Sequence, residues 1–166
     1  AETYSRKALR DENEYLKSVY YRHPEKSFLL ARVLATPGAV PYDTIIIDVG
    51  SDVGLSEGVR VFADGDFVIG EVTNVFTHSA IVTLYSSNGN ELSVRFGATS
   101  TPTTAFGMGG GNFRVLLPKG IPVAIGDLIE IPELAPTYLG IISAVEKSET
   151  SSLHGVYFRW PFNITS

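Results

Sequence analysis

The chain has 166 residues, 44% of them hydrophobic and 19% charged, with a net charge of −5 and no cysteine. A chain of this length buries about 70% of the surface its unfolded form exposes. That is enough for one core or two small ones, and the composition excludes disorder. The acidic balance leaves no basic footprint for nucleic acid, and the lack of cysteine excludes disulfides, thiolate catalysis and cysteine-ligated zinc. No apolar run reaches the ~20 residues that span a bilayer, and the start carries no signal-peptide pattern. The chain opens inside a helical pattern, from which an excised piece of a longer chain is expected.

From Glu2 to about Tyr21 the sequence is helix-like, with no Gly or Pro until Pro24 ends it. Leu9, Asn13, Leu16 and Tyr20 fall at spacings of four, three and four, the d and a positions of a heptad, with charged residues between them. An Asn at an a position fixes register and favours two strands, so the pattern predicts a dimerisation helix. The other reading is an amphipathic helix folded back on its own β domain. About 20 residues make about 30 Å of helix, too short to stand alone.

Phe28 to Ala35 is the first strand candidate, and Thr36, Pro37, Gly38 and Pro41 form the turn after it. The stretch from Asp43 to Val61, DTIIIDVGSDVGLSEGVRV, then organises the chain. Its β-branched run reads as one buried strand, and Gly50, Gly54 and Gly58 punctuate the polar turn that follows. Further strands are predicted at Val59 to Phe62, Phe67 to Val75, Ile81 to Tyr85, Glu91 to Phe96, Phe113 to Leu117, Asp127 to Ile131, Tyr138 to Val145 and Val156 to Trp160. Asp64-Gly65 and Asn88-Gly89 read as two-residue hairpin turns. Gly58-Val-Arg-Val, Ile69-Gly70-Glu-Val and Ile81-Val-Thr-Leu are echoed by Gly126-Asp-Leu-Ile, Leu139-Gly140-Ile-Ile and Val156-Tyr-Phe-Arg. The echo predicts two related β units, and makes Gly70, Gly126 and Gly140 structural turn glycines beside the first three.

Few residues offer chemistry. Gly107-Met-Gly-Gly-Gly-Asn112 lacks the spacing and Lys of a phosphate loop and precedes a strand, so it reads as a β connection. Two β units in tandem raise a trypsin-like protease, with His78 and with Asp64 and Asp66 upstream of it, but no serine stands in a nucleophile motif. His23, His78 and His154 are too scattered for a metal site, and Asp64-Gly-Asp66 is a turn before it is a ligand pair. Asp48 and Asp52 could pair as carboxylates, yet Asp near Gly-rich turns commonly caps the local backbone. Asn163-Ile-Thr165 matches a glycosylation sequon, a pattern of low specificity. These eliminations leave no catalytic, cofactor or metal residue to name, and leave a protein whose surfaces do the work. Among Phe28, Tyr42, Tyr138, Tyr157 and Trp160, most belong to the core and the remainder would anchor partners.

The order of these pieces resembles the MreC family of bacterial rod shape-determining proteins. It runs from a heptad-like helix through A-R-V-L-A-T-P, I-I-I-D-V-G-S-D-V-G-L-S-E-G-V-R-V and D-G-D-F-V-I-G-E-V to I-G-D-L-I-E-I and L-G-I-I-S-A-V-E, and covers Leu9 to Phe162. The resemblance implies a mostly β fold with two small β-barrels behind the helix. Since the echoed segments flank a middle block, the expected division is a helix over 1–22, a discontinuous first barrel over 23–69 plus 119–166, and an inserted second barrel over 70–118. A sequential pair of barrels is the alternative.

The family likeness further implies a cytoplasmic tail and one membrane-spanning helix upstream, which puts this piece on the extracytoplasmic side of the bacterial membrane. The role it implies is a non-enzymatic scaffold, without cofactor, that self-associates and activates cell-wall synthesis. Implied partners are MreD, RodZ, the SEDS glycosyltransferase, the class B penicillin-binding transpeptidase and, across the membrane, MreB. A β-barrel hydrolase or carbohydrate-binding module acting on peptidoglycan is the other reading. The turn Pro132-Glu-Leu-Ala-Pro-Thr137 departs from the family's Ser-Gly-rich loop, and Ser166 ends the chain near where a last strand belongs.

Overall fold

The computed structural model describes residues 7–14, 28–35, 43–63, 67–96, 102–132 and 137–162. The chain divides into two compact units, Ala1–Arg32 and Val33–Ser166. In the first, residues 7–14 are helical, about two turns of the longer helix expected from sequence. Leu9 is 64% exposed and Asn13 is exposed, whereas Leu16 and Tyr20 lie outside the described residues. Arg32 forms an ion pair with Glu12. Among the described residues no helix is long and apolar enough to cross a membrane.

The second unit is all β: β1 (Val33–Ala35), β2 (Thr44–Ile47), β3 (Arg60–Ala63), β4 (Phe67–Val75), β5 (Ala80–Leu84), β6 (Glu91–Phe96), β7 (Pro102–Gly109), β8 (Asn112–Pro118), β9 (Leu128–Ile131), β10 (Thr137–Glu146) and β11 (Leu153–Arg159). Alternating burial along β2, β5 and β8 puts every second side chain into a core, as expected of strands with one face covered. Strands β1 to β5 form a sheet in the order β1, β2, β5, β4, β3. Strands β6 to β11 close on themselves: β6 pairs with β7, β7 with β8, β8 with β11, β11 with β10, β10 with β9, and β9 with β6. The result is one six-stranded barrel preceded by an open sheet, the two made continuous where β4 pairs in parallel with β10 at Phe67 and Tyr138.

The sequence echo has a structural counterpart longer than the echo itself. In β3 and β4, Val61 faces Gly70 and Phe62 faces Val68, leaving Ile69 as a bulge. In β9 and β10, Ile129 faces Gly140 and Glu130 faces Tyr138, leaving Leu139 in the same place. Gly58 and Gly126, both at positive φ, give their N–H groups to the carbonyls of Val72 and Ile142 at 2.8 and 2.9 Å. Ile45 faces Val82 as Phe113 faces Phe158, and Val33 faces Ile47 as Ala105 faces Val115. Strands β2 to β5 are therefore repeated in register by β8 to β11, while β1 and β7 match at Val33 and Ala105 but shift register at different places, after Val33 and after Gly107. The match sets Ala80 against Val156, one residue away from the alignment read off the sequence; a slip of one would exchange the two faces of the strand.

Several expectations are corrected by these pairings. The block over 70–118 is not closed on itself, because its strands β6 to β8 pair with β9 and β11 of the block assigned elsewhere. The order is sequential, with β6 inserted between the repeats to bridge β7 and β9. Asn88-Gly89 is not a hairpin turn, since β5 and β6 do not pair; the turn around it hands the chain from sheet to barrel. Gly70 and Gly140 sit inside β4 and β10, where bare backbone is needed because a Cβ would meet the Thr83 carbonyl oxygen at 2.3 Å in one case and that of Arg159 at 2.8 Å in the other. Asp64-Gly65 lies outside the described residues.

Sheet and barrel are joined by a glycine turn and an aromatic cluster. The N–H groups of Gly107 and Gly109 bond to the carbonyls of Asn90 and Ser86 at 2.8 and 2.6 Å, and that of Gly111 bonds to the buried Ser86 Oγ at 3.0 Å. A Cβ on Gly111 would lie 2.6 Å from the Trp160 ring. Trp160 packs edge-on against Phe113 at 5.9 Å and stacks with Phe162 at 6.2 Å; Phe162 reaches Phe67, which in turn meets Tyr138 at 6.0 Å. The glycine run is thus a close-packed β connection.

Candidate functional site

The site is built at one end of the open sheet, where the β2–β3 connection lies along the β4–β5 turn. Leaving the buried end of β2, Gly50 passes so near the turn that a Cβ would sit 2.1 Å from the Phe76 carbonyl oxygen; only glycine allows that approach. The closeness lets Ser51 and Asp52 donate their N–H groups to the carbonyls of Phe76 and Thr77 at 2.9 and 3.1 Å. A short 3-10 turn over Ser51–Val53 follows, ended by Gly54 at φ 83°. His78 Nδ1 and Asp52 Oδ2, 2.8 Å apart, complete the clasp from the outside. Backbone bonds from one loop to the other thus fix the tip.

What the tip presents is apolar and acidic. Phe76 is 53% exposed and Val53 51%, although large aromatics are ordinarily at least partly buried. Asp48, Asp52 and Glu57 are exposed along the same connection that carries Val53. The charge is unevenly spread along the chain: residues 33–90 hold seven acidic residues and one basic one, residues 91–166 six and five, and residues 1–32 five and seven. Near the middle of the open sheet, burial pushes the Tyr85 phenol above its usual range; Glu71 adds to the rise and Arg60 opposes it. On the barrel, the Tyr157 hydroxyl donates to Glu146 Oε2 at 3.0 Å, and that bond raises its pKa as well.

The residues singled out for chemistry disperse. His78 and Asp52 supply two members of a hydrolytic triad, but among the described residues no hydroxyl bonds to His78, whose side chain is 80% exposed. Asp52 serves the clasp, and Asp48 lies at the end of β2. His154 is buried in β11; among the described residues its Nε2, like the Trp160 Nε1, has no hydrogen-bond partner. His23, Tyr42, Asp64, Asp66 and the sequon at Asn163 lie outside the described residues. Among the described residues no three His, Cys, Asp or Glu side chains come together as a metal site. Sequence reasoning missed Phe76 and Val53, since an alternating strand pattern does not tell which apolar residue at its end stays in water.

Comparison with known proteins agrees with the architecture. The family model "Rod shape-determining protein MreC, barrel core" matches residues 33–162. A crystal structure of MreC from Pseudomonas aeruginosa is similar with a TM-score of 0.72 at 16% identity, over 81% of this chain and 90% of that one. MreC from Listeria monocytogenes is similar with a TM-score of 0.66 at 18% identity, over 99% and 86%. A structure described as the major periplasmic domain of the cell shape-determining filament MreC gives 0.56 at 19%, over 82% and 92%. The sequence finds no match among curated proteins.

Proposed function

The chain belongs to the MreC family, and from that premise we propose that it is a non-catalytic scaffold of the bacterial cell-wall elongation machinery, placed on the outer side of the membrane. It dimerises through the helix that carries Leu9, Asn13, Leu16 and Tyr20, and its β unit holds and activates the class B penicillin-binding transpeptidase beside the SEDS glycosyltransferase. MreD, RodZ and MreB belong to the same assembly. The observation that carries this reading is the clasped tip: a rigid element whose outward side chains are large and apolar suits binding, and its His78–Asp52 pair serves to fasten the loop. Activation then follows from affinity alone. A transpeptidase bound more tightly in its active conformation is shifted toward it by that difference, and tenfold preference corresponds to about 1.4 kcal/mol.

Two experiments test this. Isothermal titration of the chain against the transpeptidase's extracytoplasmic domain gives saturable binding if the chain is a scaffold, and no heat of binding would refute it. Sedimentation of Leu9→Asp with Leu16→Asp yields a smaller species than the parent chain; an unchanged mass would remove the dimerisation helix.

A further inference from the structure

We propose that the clasped tip, Val53 and Phe76 within the acidic loops 48–59 and 76–79, is a docking surface for a basic, apolar segment of a partner protein. The proposal rests on the scaffold reading and names the place where that scaffold takes hold.

Three observations converge on the tip. Its two largest exposed side chains, Phe76 and Val53, are brought to one end by the backbone bonds from Ser51 and Asp52 to the Phe76 and Thr77 carbonyls. Exposed aromatics on a fixed frame are the usual anchors of an interface, because little conformational freedom is lost when they are covered. The frame is fixed here: Gly50 lies against the opposite turn with no room for a side chain, and His78 and Asp52 hold the outside.

Charge then selects the occupant. The connection that carries Val53 also carries the exposed Asp48, Glu57 and Asp52, the last beside His78, in a segment with seven acidic residues and one basic. Such an acid excess attracts Lys and Arg and repels an anionic membrane surface or an acidic partner. A segment with apolar anchors flanked by basic residues satisfies both halves of the surface.

The probe is a 16-residue synthetic peptide with Leu at helical i, i+3, i+4, i+7 spacing and Lys or Arg elsewhere, titrated into the full chain and followed by backbone NMR. Shifts are expected at residues 48–59 and 76–79. Phe76→Ala should weaken binding about tenfold, as for an interface anchor. Asp52→Lys with Glu57→Lys should weaken it by as much and flatten its salt dependence. Glu146→Lys with Glu149→Lys on the barrel should change it less than twofold. Each variant is first checked for the parent's circular dichroism, and Phe76→Leu serves if Phe76→Ala fails to fold.

Three results would overturn the proposal: equal binding of a peptide with Ser in place of Leu, equal losses from the barrel reversals, or shifts outside the tip. Self-association of the free chain that Phe76→Ala abolishes would also overturn it, by making a second copy the occupant. In a rod-shaped bacterium that depends on the full-length protein, Phe76→Ala restoring shape as well as the parent sinks the docking surface alone. A parent chain with no effect on the transpeptidase sinks the scaffold reading alone.

Discussion

The open sheet and the barrel share one plan of five strands but finish it differently. Strands β2 to β5 and β8 to β11 keep the same registers, the same bulges at Ile69 and Leu139, and the same glycine turns at Gly58 and Gly126. The barrel adds β6, which seals β7 to β9 through the facing pair Arg95 and Glu130. Its interior is filled more heavily: where the sheet pairs Ile45 with Val82, the barrel stacks Phe113 on Phe158 at 4.8 Å. Closing a sheet creates an inside that side chains must fill, whereas an open sheet keeps its loops for other work. Residues 33–90 hold the acid excess and the exposed Phe76, whereas the charges of residues 91–166 are nearly balanced. The same strand plan therefore appears once as a closed barrel and once as an open sheet.

Substitutions at matched positions break or sharpen this contrast. Phe158→Ala should cost about 4 kcal/mol in urea unfolding, and its counterpart Val82→Ala about 2, since the larger ring leaves the larger cavity. Equal losses would mean the two interiors are filled alike. Next come the paired strand glycines. Gly70→Ala drives a Cβ to 2.3 Å from a backbone carbonyl and Gly140→Ala to 2.8 Å, so the first should cost about 3 kcal/mol and the second about 2, within the range for overpacking. Arg95→Ala removes a half-buried bond across the seam at 3.1 Å. It should cost about 1 kcal/mol and speed hydrogen exchange in β6 and β9 while leaving β2 to β5 unchanged.

The smallest expected effect is a pH dependence in the open sheet. Tyr85 is raised above its ordinary value of 10.0 by burial first and then by Glu71. Its neutral form is the one favoured by folding, so the stability it contributes is whole below about pH 10. That stability is lost as pH rises through the raised pKa. Tyr85→Phe should therefore flatten the alkaline fall in thermal stability, and an unchanged fall would assign it elsewhere.

Much of this contrast is legible in the residues themselves. The run Thr44 to Val49 has one sensible reading as a strand, and the echo around Gly58, Gly70, Gly126 and Gly140 announces a repeat. Two things stayed hidden. Strand β7, Pro-Thr-Thr-Ala-Phe-Gly-Met-Gly, opens on proline and carries two glycines, so its pattern is that of a loop; the barrel's pairing, not local propensity, makes it a strand. Pairing partners are also non-local, and the symmetry of the echo alone does not say which repeat β6 completes. The tip was legible only in part: Gly50, Gly54 and Gly58 marked it as a turn, but the apolar pattern at the end of β4 does not tell that Phe76 stays exposed.

The most direct test of the proposed role is kinetic. Added to the purified transpeptidase with its glycosyltransferase partner, the chain should raise the rate of peptidoglycan cross-linking to a plateau near one chain per enzyme, with no turnover of its own. A rate unaffected at saturating chain, or cross-links cleaved by the chain alone, would contradict a protein that acts by holding others.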